Sequence, residues 1–384
     1  MIFALPFIFN LPFRAWEQRK LGEVTESFDG KRVPIDSDLR ILGEYPYYGA
    51  TGVIDYVDDY IFDGEYVLLA EDGANITMRN YPVAYLTQGK FWLNNHAHIM
   101  RMIDGSNYFL VQVLEKIDYM KYNTGTAQPK LNSKVVKNIE FKLPHVEEQR
   151  KIGTFFKQLD NTIALHQRKL DTLKLMKKGL LQQMFPNNDE EIPKVRFADF
   201  AGEWEQRKAG NIFMTISDKN HAHLPVLSAS QELGMIRRDN IGIHIKYNEK
   251  SLKNYKLVKP GQFVIHLRSF QGGFAWSYIT GITSPAYTIL DYKEPQKNVS
   301  KFWKELLTSP IFIKRLETIT YGIRDGRSIS FADFSTLKFS VPSVDEQRKI
   351  STFFQQLDNN TTIQQNKLEK LISLKEAYLQ KMFI

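Results

Sequence analysis

The 384-residue chain has eight histidines, 43 acidic side chains and no cysteine, and these set its catalytic means. Thiol catalysis, disulfides and Cys-based zinc sites are excluded outright. Two His-Ala-His triplets, His96-Ala97-His98 and His221-Ala222-His223, offer paired imidazoles, but a metal would need further ligands. Alternation along a strand or loop accounts for them. The acidic pairs Asp58-Asp59 and Glu71-Asp72 have the chemistry to hold magnesium for phosphodiester hydrolysis. No basic residue follows them at a nuclease-like spacing, so solvated acidic surface is the expectation. There is no glycine-rich nucleotide loop of either standard form, no HExxH and no GxSxG. No catalytic residue, bound cofactor or metal site is expected.

Recognition chemistry is better represented. The stretch YPYYGATG places Tyr47, Tyr48 and Thr51 beside glycines that allow close backbone approach, with Arg79 downstream. NTGTAQPK adds Asn123, Thr124, Gln128 and Lys130 on a loop. Later in the chain LSASQELG supplies Ser228, Ser230 and Gln231, and Arg237 opens an RRDN run. LRSFQGG carries Arg268, Ser269 and Gln271, and GIRDGRSIS carries Arg324, Arg327 and Ser328. Arg can read guanine bidentately and Asn or Gln adenine, whereas Ser, Thr and Lys mostly hold phosphates. Any single loop of this composition is also what an ordinary turn contains; two such sets favour a reader of nucleic acid with two heads.

The elements that must position these loops come from a duplication. EEQRKIGTFFKQLD begins at Glu147 and DEQRKISTFFQQLD at Asp345, and the match runs without a gap from Pro144 with Pro342 to Phe185 with Phe383. WEQRK occurs at Trp16 and again at Trp204. Each closing block carries a heptad ladder: Ile152, Phe156, Leu159, Ile163, His166, Leu170, Leu173, Lys177, Leu180 and Met184 in the first, then Ile350, Phe354, Leu357, Thr361, Gln364, Leu368, Leu371, Lys375, Tyr378 and Met382. The spacing predicts two helices of roughly 40 residues, each about 60 Å long. Pro342 and a Ser343-Val-Asp-Glu346 capping box mark one start, and Pro186 marks one stop. Such rods cannot bury their stripes alone, and each is the other's obvious partner. His166 with Gln364 and Lys177 with Lys375 interrupt the seam at matching heights, as register-fixing residues do.

Between the rods, apolar runs such as EYVLLA, YFLVQVL and QFVIHL, bounded by Gly, Asn and Pro, read as mixed α/β globules. The segment 186–203, with two prolines and a charge run, reads as a linker. Formal charge is −8 up to Met78 and +5 from Arg79 to Leu143, so nucleic acid should meet the later part of the first globule. The apolar start, MIFALPFIFNLPF, lacks an initial positive region and a small-residue cleavage site and is too short to span a bilayer. It reads as a packed or mobile arm, and the cytoplasm is the expected location.

Taken in order, the variable region, LPHVEEQRKIGTFFKQLDNTIALHQRKLDTLKLMKKGLLQQMF, FADFAGEWEQRK, the second variable region and the second EQRKI helix resemble the specificity subunit of type I restriction-modification systems. WEQRKLGEV and YPYYGATGVIDYVDDYIFDGEYVLLAEDGANI are similar to one of that family's target recognition domains. The resemblance implies an α/β fold class in which two target recognition domains, 1–143 and 204–341, alternate with conserved helices 144–185 and 342–384. The helices would pair as an antiparallel coiled coil with pseudo-twofold symmetry, through Ile152, Phe156, Leu159, Leu170 and Leu173 and their counterparts Ile350, Phe354, Leu357, Leu368 and Leu371. It further implies a non-catalytic subunit reading a bipartite double-stranded DNA site. Two methyltransferase (modification) subunits would dock on it, restriction subunits would join through those, and S-adenosylmethionine, magnesium and ATP would belong to the partners. The apolar residues 1–13 depart from the stretch before Trp204. A coiled-coil adaptor without DNA contact and an autonomous restriction enzyme are the competing readings.

Overall fold

The computed structural model describes residues 15–186, 190–230, 233–241, 249–266, 274–316 and 329–383. Two compact units divide the chain: Met1–Gln167 with Asn366–Ile384, and Arg168–Gln365. The long helices are Val146–Gln183 and Val344–Met382, so each begins in the unit of its own repeat and ends in the other.

In the first unit the strand Glu17–Lys20 pairs antiparallel with Glu140–Leu143 and closes the head at its base. Above it, one four-stranded sheet runs in the order Thr25–Ser27, Ala97–Met102, Tyr66–Ala70, Ala84–Thr87. A second runs Gly52–Val57, Leu42–Gly49, Lys90–Leu93, Phe62–Asp63, with one parallel pairing, Tyr47 opposite Trp92. The run EYVLLA becomes a strand buried at every position from Tyr66 to Ala70. Successive side chains of a strand leave on opposite faces. Val67 and Leu69 accordingly join a core with Phe109, Leu110 and Leu114 of helix Asn107–Lys116, while Tyr66 and Leu68 join Phe62, Phe91 and Ile99.

The second unit repeats the strand pair and the first of these sheets, and its other strands form two-stranded pairs. Glu205–Lys208 pairs with Lys338–Val341 through the same four rungs. A four-stranded antiparallel sheet runs Phe213–Ile216, Thr288–Tyr292, Phe263–Ile265, Phe274–Trp276. Phe263 and Ile265 face one core with Phe302 and Trp303, and Val264 faces the other with Leu227 and Met235. The Ser-Pro break in SKFWKELLTSPIFIKRL separates helix Ser300–Leu307 from Pro310–Leu316.

An aromatic triangle recurs in both units, built on the tryptophan of each WEQRK and the phenylalanine that closes each duplicated helix block. In the first unit Trp16, Phe109 and Phe383 lie 6.0, 6.1 and 5.4 Å apart by ring centroid. In the second, Trp204, Phe302 and Phe185 lie 6.1, 6.4 and 5.4 Å apart. The third corner of each triangle comes from the end of the other repeat's helix, so within each unit the two helix segments run antiparallel. Lys375 Nζ lies 2.6 Å from Asp160 Oδ1 in the first unit and Lys177 Nζ 2.6 Å from Asp358 Oδ1 in the second. The seam lysines thus each meet an aspartate of the opposite helix. Burial and Asp160 push the Tyr108 phenol, which donates to that carboxylate at 2.6 Å, above its usual range.

Of the residues expected to pair the helices, Ile152, Phe156, Leu159, Leu170, Ile350, Phe354, Leu357 and Leu368 are buried, and Leu173 and Leu371 are half-buried. Near the helix starts the seam is shared with the heads: Phe156 joins the core of Phe109 and Val67, and Phe354 that of Phe302 and Trp303. Ser343 Oγ accepts from the Glu346 N–H at 3.3 Å, one half of the expected capping box. The Glu346 carboxylate is spent elsewhere, on Arg196, at 2.7 and 2.8 Å. Over its described part, 190–203, the segment expected to be a linker packs on the start of that helix. Phe197 meets Phe353 edge-on at 5.9 Å, and Lys349 pairs with Asp199.

Candidate nucleic-acid interface

The loop 123–130 of the first head is shaped by its own side chains. Asn123 Oδ1 accepts from the N–H groups of Gly125 and Lys130, both at 2.9 Å, an Asx-type closure. The Thr124 N–H donates to the Lys130 carbonyl at 2.8 Å, and its hydroxyl donates to the same oxygen at 3.0 Å. A Cβ on Gly125 would stand 1.8 Å from the Gln128 carbonyl oxygen, so the turn admits only glycine. Asn123 and Thr124 therefore build the loop. Gln128 and Lys130 are left exposed, the Lys130 ammonium lying 3.5 Å from Glu71.

Beneath the loop lies a buried ionic cluster. Arg32 Nη1 donates to Glu71 Oε2 at 2.6 Å and to the Ala97 carbonyl at 2.8 Å. The His98 ring, 1% exposed, sits 2.7 Å from Asp29 Oδ2 through Nδ1 and 2.7 Å from the Leu131 carbonyl through Nε2. Burial alone would raise the Asp29 carboxyl, but His98, the Ile99 N–H and Arg32 together hold it below the usual carboxylate range. The Glu71-Asp72 pair is thus not solvated surface: Glu71 is bound by Arg32, and Asp72 meets His96 at 3.0 Å. The first His-Ala-His triplet places His98 on strand Ala97–Met102 and His96 in the turn before it, and each imidazole has its own carboxylate. Sequence reasoning named Glu71 and His98 without their partners and missed Asp29 and Arg32, because Arg32–Glu71 and Asp29–His98 pair across 39 and 69 residues. Among the described residues, no group of three or more His, Asp or Glu side chains is arranged to hold a metal ion, and no helix is long and apolar enough to cross a membrane.

Three of the expected first-head contacts have other occupations. YPYYGATG is not a loop; most of it lies in strand Leu42–Gly49, which hairpins into Gly52–Val57. Tyr47 is 1% exposed, its hydroxyl accepts from the Ile35 N–H at 3.0 Å, and Arg40 lies over its ring at 4.6 Å. Tyr48 stacks on Tyr85 at 5.9 Å and packs edge-on to Phe91, and burial pushes its phenol up. Arg79 adopts a left-handed backbone (φ 56°), donates to the carbonyls of Glu115 and Ile117 and lies 5.1 Å over the Tyr119 ring. It closes the end of a helix. Thr51 stays exposed at the hairpin tip.

In the second head Ser228 and Ser230 stand on strand Leu227–Ser230, paired with Gly234–Arg237. Ser228 Oγ accepts from Arg238 Nε at 3.1 Å, Ser230 Oγ accepts from the Leu233 N–H at 3.2 Å, and Arg237 is exposed. Gly234, at φ 71°, lies so close to the Trp276 carbonyl that a Cβ would approach it to 2.3 Å. Gln231, Arg268, Ser269, Gln271, Arg324, Arg327 and Ser328 lie outside the described residues. The structure therefore brings Asn123, Thr124, Gln128 and Lys130 together in one loop and Ser228, Ser230 and Arg237 on one hairpin.

Residues 14–175 and 210–373 match the sequence profile of a family described as the type I restriction modification DNA specificity domain. A Haemophilus influenzae protein provisionally named as a type I restriction enzyme specificity subunit is 35% identical over 150 residues, 39% of this chain and 38% of that protein. The MjaVIII specificity subunit of Methanocaldococcus jannaschii is 24% identical over 95% of this chain and 91% of its own length. Among solved structures, the S subunit of a type I restriction-modification system from M. genitalium superposes with a TM-score of 0.67 at 14% identity, covering 98% of both chains.

Proposed function

The chain belongs to the type I restriction modification DNA specificity domain family, and we propose on that basis that it is the non-catalytic subunit that selects DNA for a type I complex. Each head reads one half of a bipartite site in double-stranded DNA. The two long helices set the distance between the halves and carry the docking surface for two methyltransferase subunits, with restriction subunits joining through those. S-adenosylmethionine, magnesium and ATP are used by the partners, and the complex works in the cytoplasm.

One observation carries this reading: the scaffold is duplicated and the heads are not. The strand pair, the aromatic triangle and the Lys–Asp contact recur in both units, whereas loop 123–130 has no counterpart in the sequence of the second head. A modular reader requires that combination. Of the side chains expected to read DNA, Gln128, Lys130 and Thr51 in the first head and Arg237 in the second are exposed and have base- or phosphate-binding chemistry.

The test is to coexpress the chain with its methyltransferase partner and sequence the methylated sites. A two-part motif with an unspecified gap is expected, and replacing residues 205–335 with those of a relative should change one part only. Binding to duplex DNA should weaken linearly in log–log form with added salt. A protein that shows no salt-dependent DNA binding, alone or with the methyltransferase, is the coiled-coil adaptor instead.

A further inference from the structure

We propose that His98, held as an imidazolium beneath the loop 123–130, is the positioning residue through which the first head holds that loop for DNA; the DNA part rests on the function proposed above. The ring is 1% exposed and touches no solvent-facing ligand surface, so it acts only through what it holds. Its two nitrogens both face acceptors at 2.7 Å, the Asp29 carboxylate and the Leu131 carbonyl. A carbonyl has no proton to give, and a neutral imidazole has one donor and one acceptor nitrogen. Asp29 is an ionised acceptor, its carboxyl held below the usual carboxylate range while its other oxygen accepts from the Ile99 N–H at 2.9 Å and faces Arg32 at 3.8 Å. Both ring nitrogens must therefore carry hydrogen.

The ring lies among carboxylates. The groups facing the ring are Asp29 from the turn before Arg32 and Glu71, 3.7 Å away, from the end of strand Tyr66–Ala70. Arg32 binds Glu71, Lys130 lies at the mouth from the loop itself, and His96 with Asp72 form a separate pair alongside. The two part-buried acids, Asp29 and Glu71, thus face Arg32, Lys130 and the His98 ring.

The loop is fixed where it re-enters the sheet. The Leu131 N–H donates to the Glu71 carbonyl at 2.7 Å, the Gly73 N–H donates to the Pro129 carbonyl at 3.1 Å, and His98 holds the Leu131 carbonyl from the opposite side. Losing the ring, or the Nε2 proton that faces Leu131, leaves that buried carbonyl without its donor and the loop hinged on one side only.

The experiment uses the full chain with ring-¹⁵N-labelled histidine. The His98 ring is expected to show two protonated nitrogens at neutral pH. Asp29→Asn and, separately, His98→Gln should speed amide exchange at Thr124 and Leu131 by about tenfold or more, the loss of one charge-assisted hydrogen bond. Coexpressed with the methyltransferase, both variants should relax base choice in one half of the methylated motif and leave the other half unchanged. A single-tautomer neutral ring overturns the proposal, as do wild-type exchange rates and an unaltered motif in both variants, or equal relaxation of both halves. If the wild-type chain shows no salt-dependent binding to a mixed-sequence duplex, the DNA reading falls, while the ring state and exchange rates still decide whether His98 positions the loop. Should both variants fail to fold, the wild-type ring state decides the protonation on its own.

Discussion

Replacing Arg196 by methionine should destabilise the second unit by about 3–5 kcal/mol, because it strands a buried carboxylate. Glu346 has 1% of its side chain exposed and receives both arms of the Arg196 guanidinium. The guanidinium is 15% exposed and also donates to the backbone carbonyls of Ala201 and Gly202. Removing one member of such a pair leaves the full desolvation penalty of the other, whereas removing both leaves a site that apolar side chains can fill. For a unit of about 200 residues, each kcal/mol moves the midpoint by about 2–4 °C, so Arg196→Met should lower it by roughly 6–20 °C. The double variant Arg196→Met with Glu346→Leu should recover most of that loss. Thermal and urea unfolding followed by circular dichroism measure both. A single variant within about 0.5 kcal/mol of wild type, or a double variant as unstable as the single, refutes the account.

Three further outcomes are expected. Lys177→Met should cost about 1–3 kcal/mol, because Glu305, 6% exposed, loses a partner at 3.0 Å; Lys375→Met should cost less, because Asp160 keeps the Tyr108 hydroxyl and the pair is about a quarter exposed. Asp29 has a depressed carboxyl, so its contribution is complete above the unfolded value near 4 and is lost as pH falls through the lower folded value; an Asp29→Asn variant should lose less stability than wild type across that acid window. Inserting four residues near Leu170 should lengthen the first long helix by about 6 Å, and the gap between methylated half-sites should grow by about one or two base pairs while both halves keep their sequence.

The long helices were legible because a local code specifies them: a period-seven ladder, a capping serine and a bounding proline act within one or two turns. The exchange of helix ends between units was less so. Phe383 completes the cluster around Trp16, and the two are separated by nearly the whole chain. Glu71-Asp72 looked like solvated surface for the same reason, since the counter-ion of Glu71 is Arg32, 39 residues upstream. Tyr47 was misplaced by a local ambiguity. Glycines beside tyrosines suit a loop, but they also suit a strand that turns tightly, and in strand Leu42–Gly49 alternation sends the Tyr47 ring inward.

Asn123 and Thr124 show where a list of reading side chains over-reaches. An amide that can bond adenine can equally bond a backbone N–H two residues on, and in a folded loop the nearer partner is met first. Asn123 and Thr124 are thus spent on the shape of this loop, and of its expected contacts the longer Gln128 and Lys130 are left to face a ligand. Comparison of the two units extends the point. The parts that close each unit, the strand pair, the tryptophan triangle and the Lys–Asp contact, recur with nearly equal distances. The ionic cluster under loop 123–130 belongs to the first head's own sequence. Stability common to both units is therefore invested at the base of each head and along the helices, which leaves the loop-bearing ends free to differ without unfolding the scaffold.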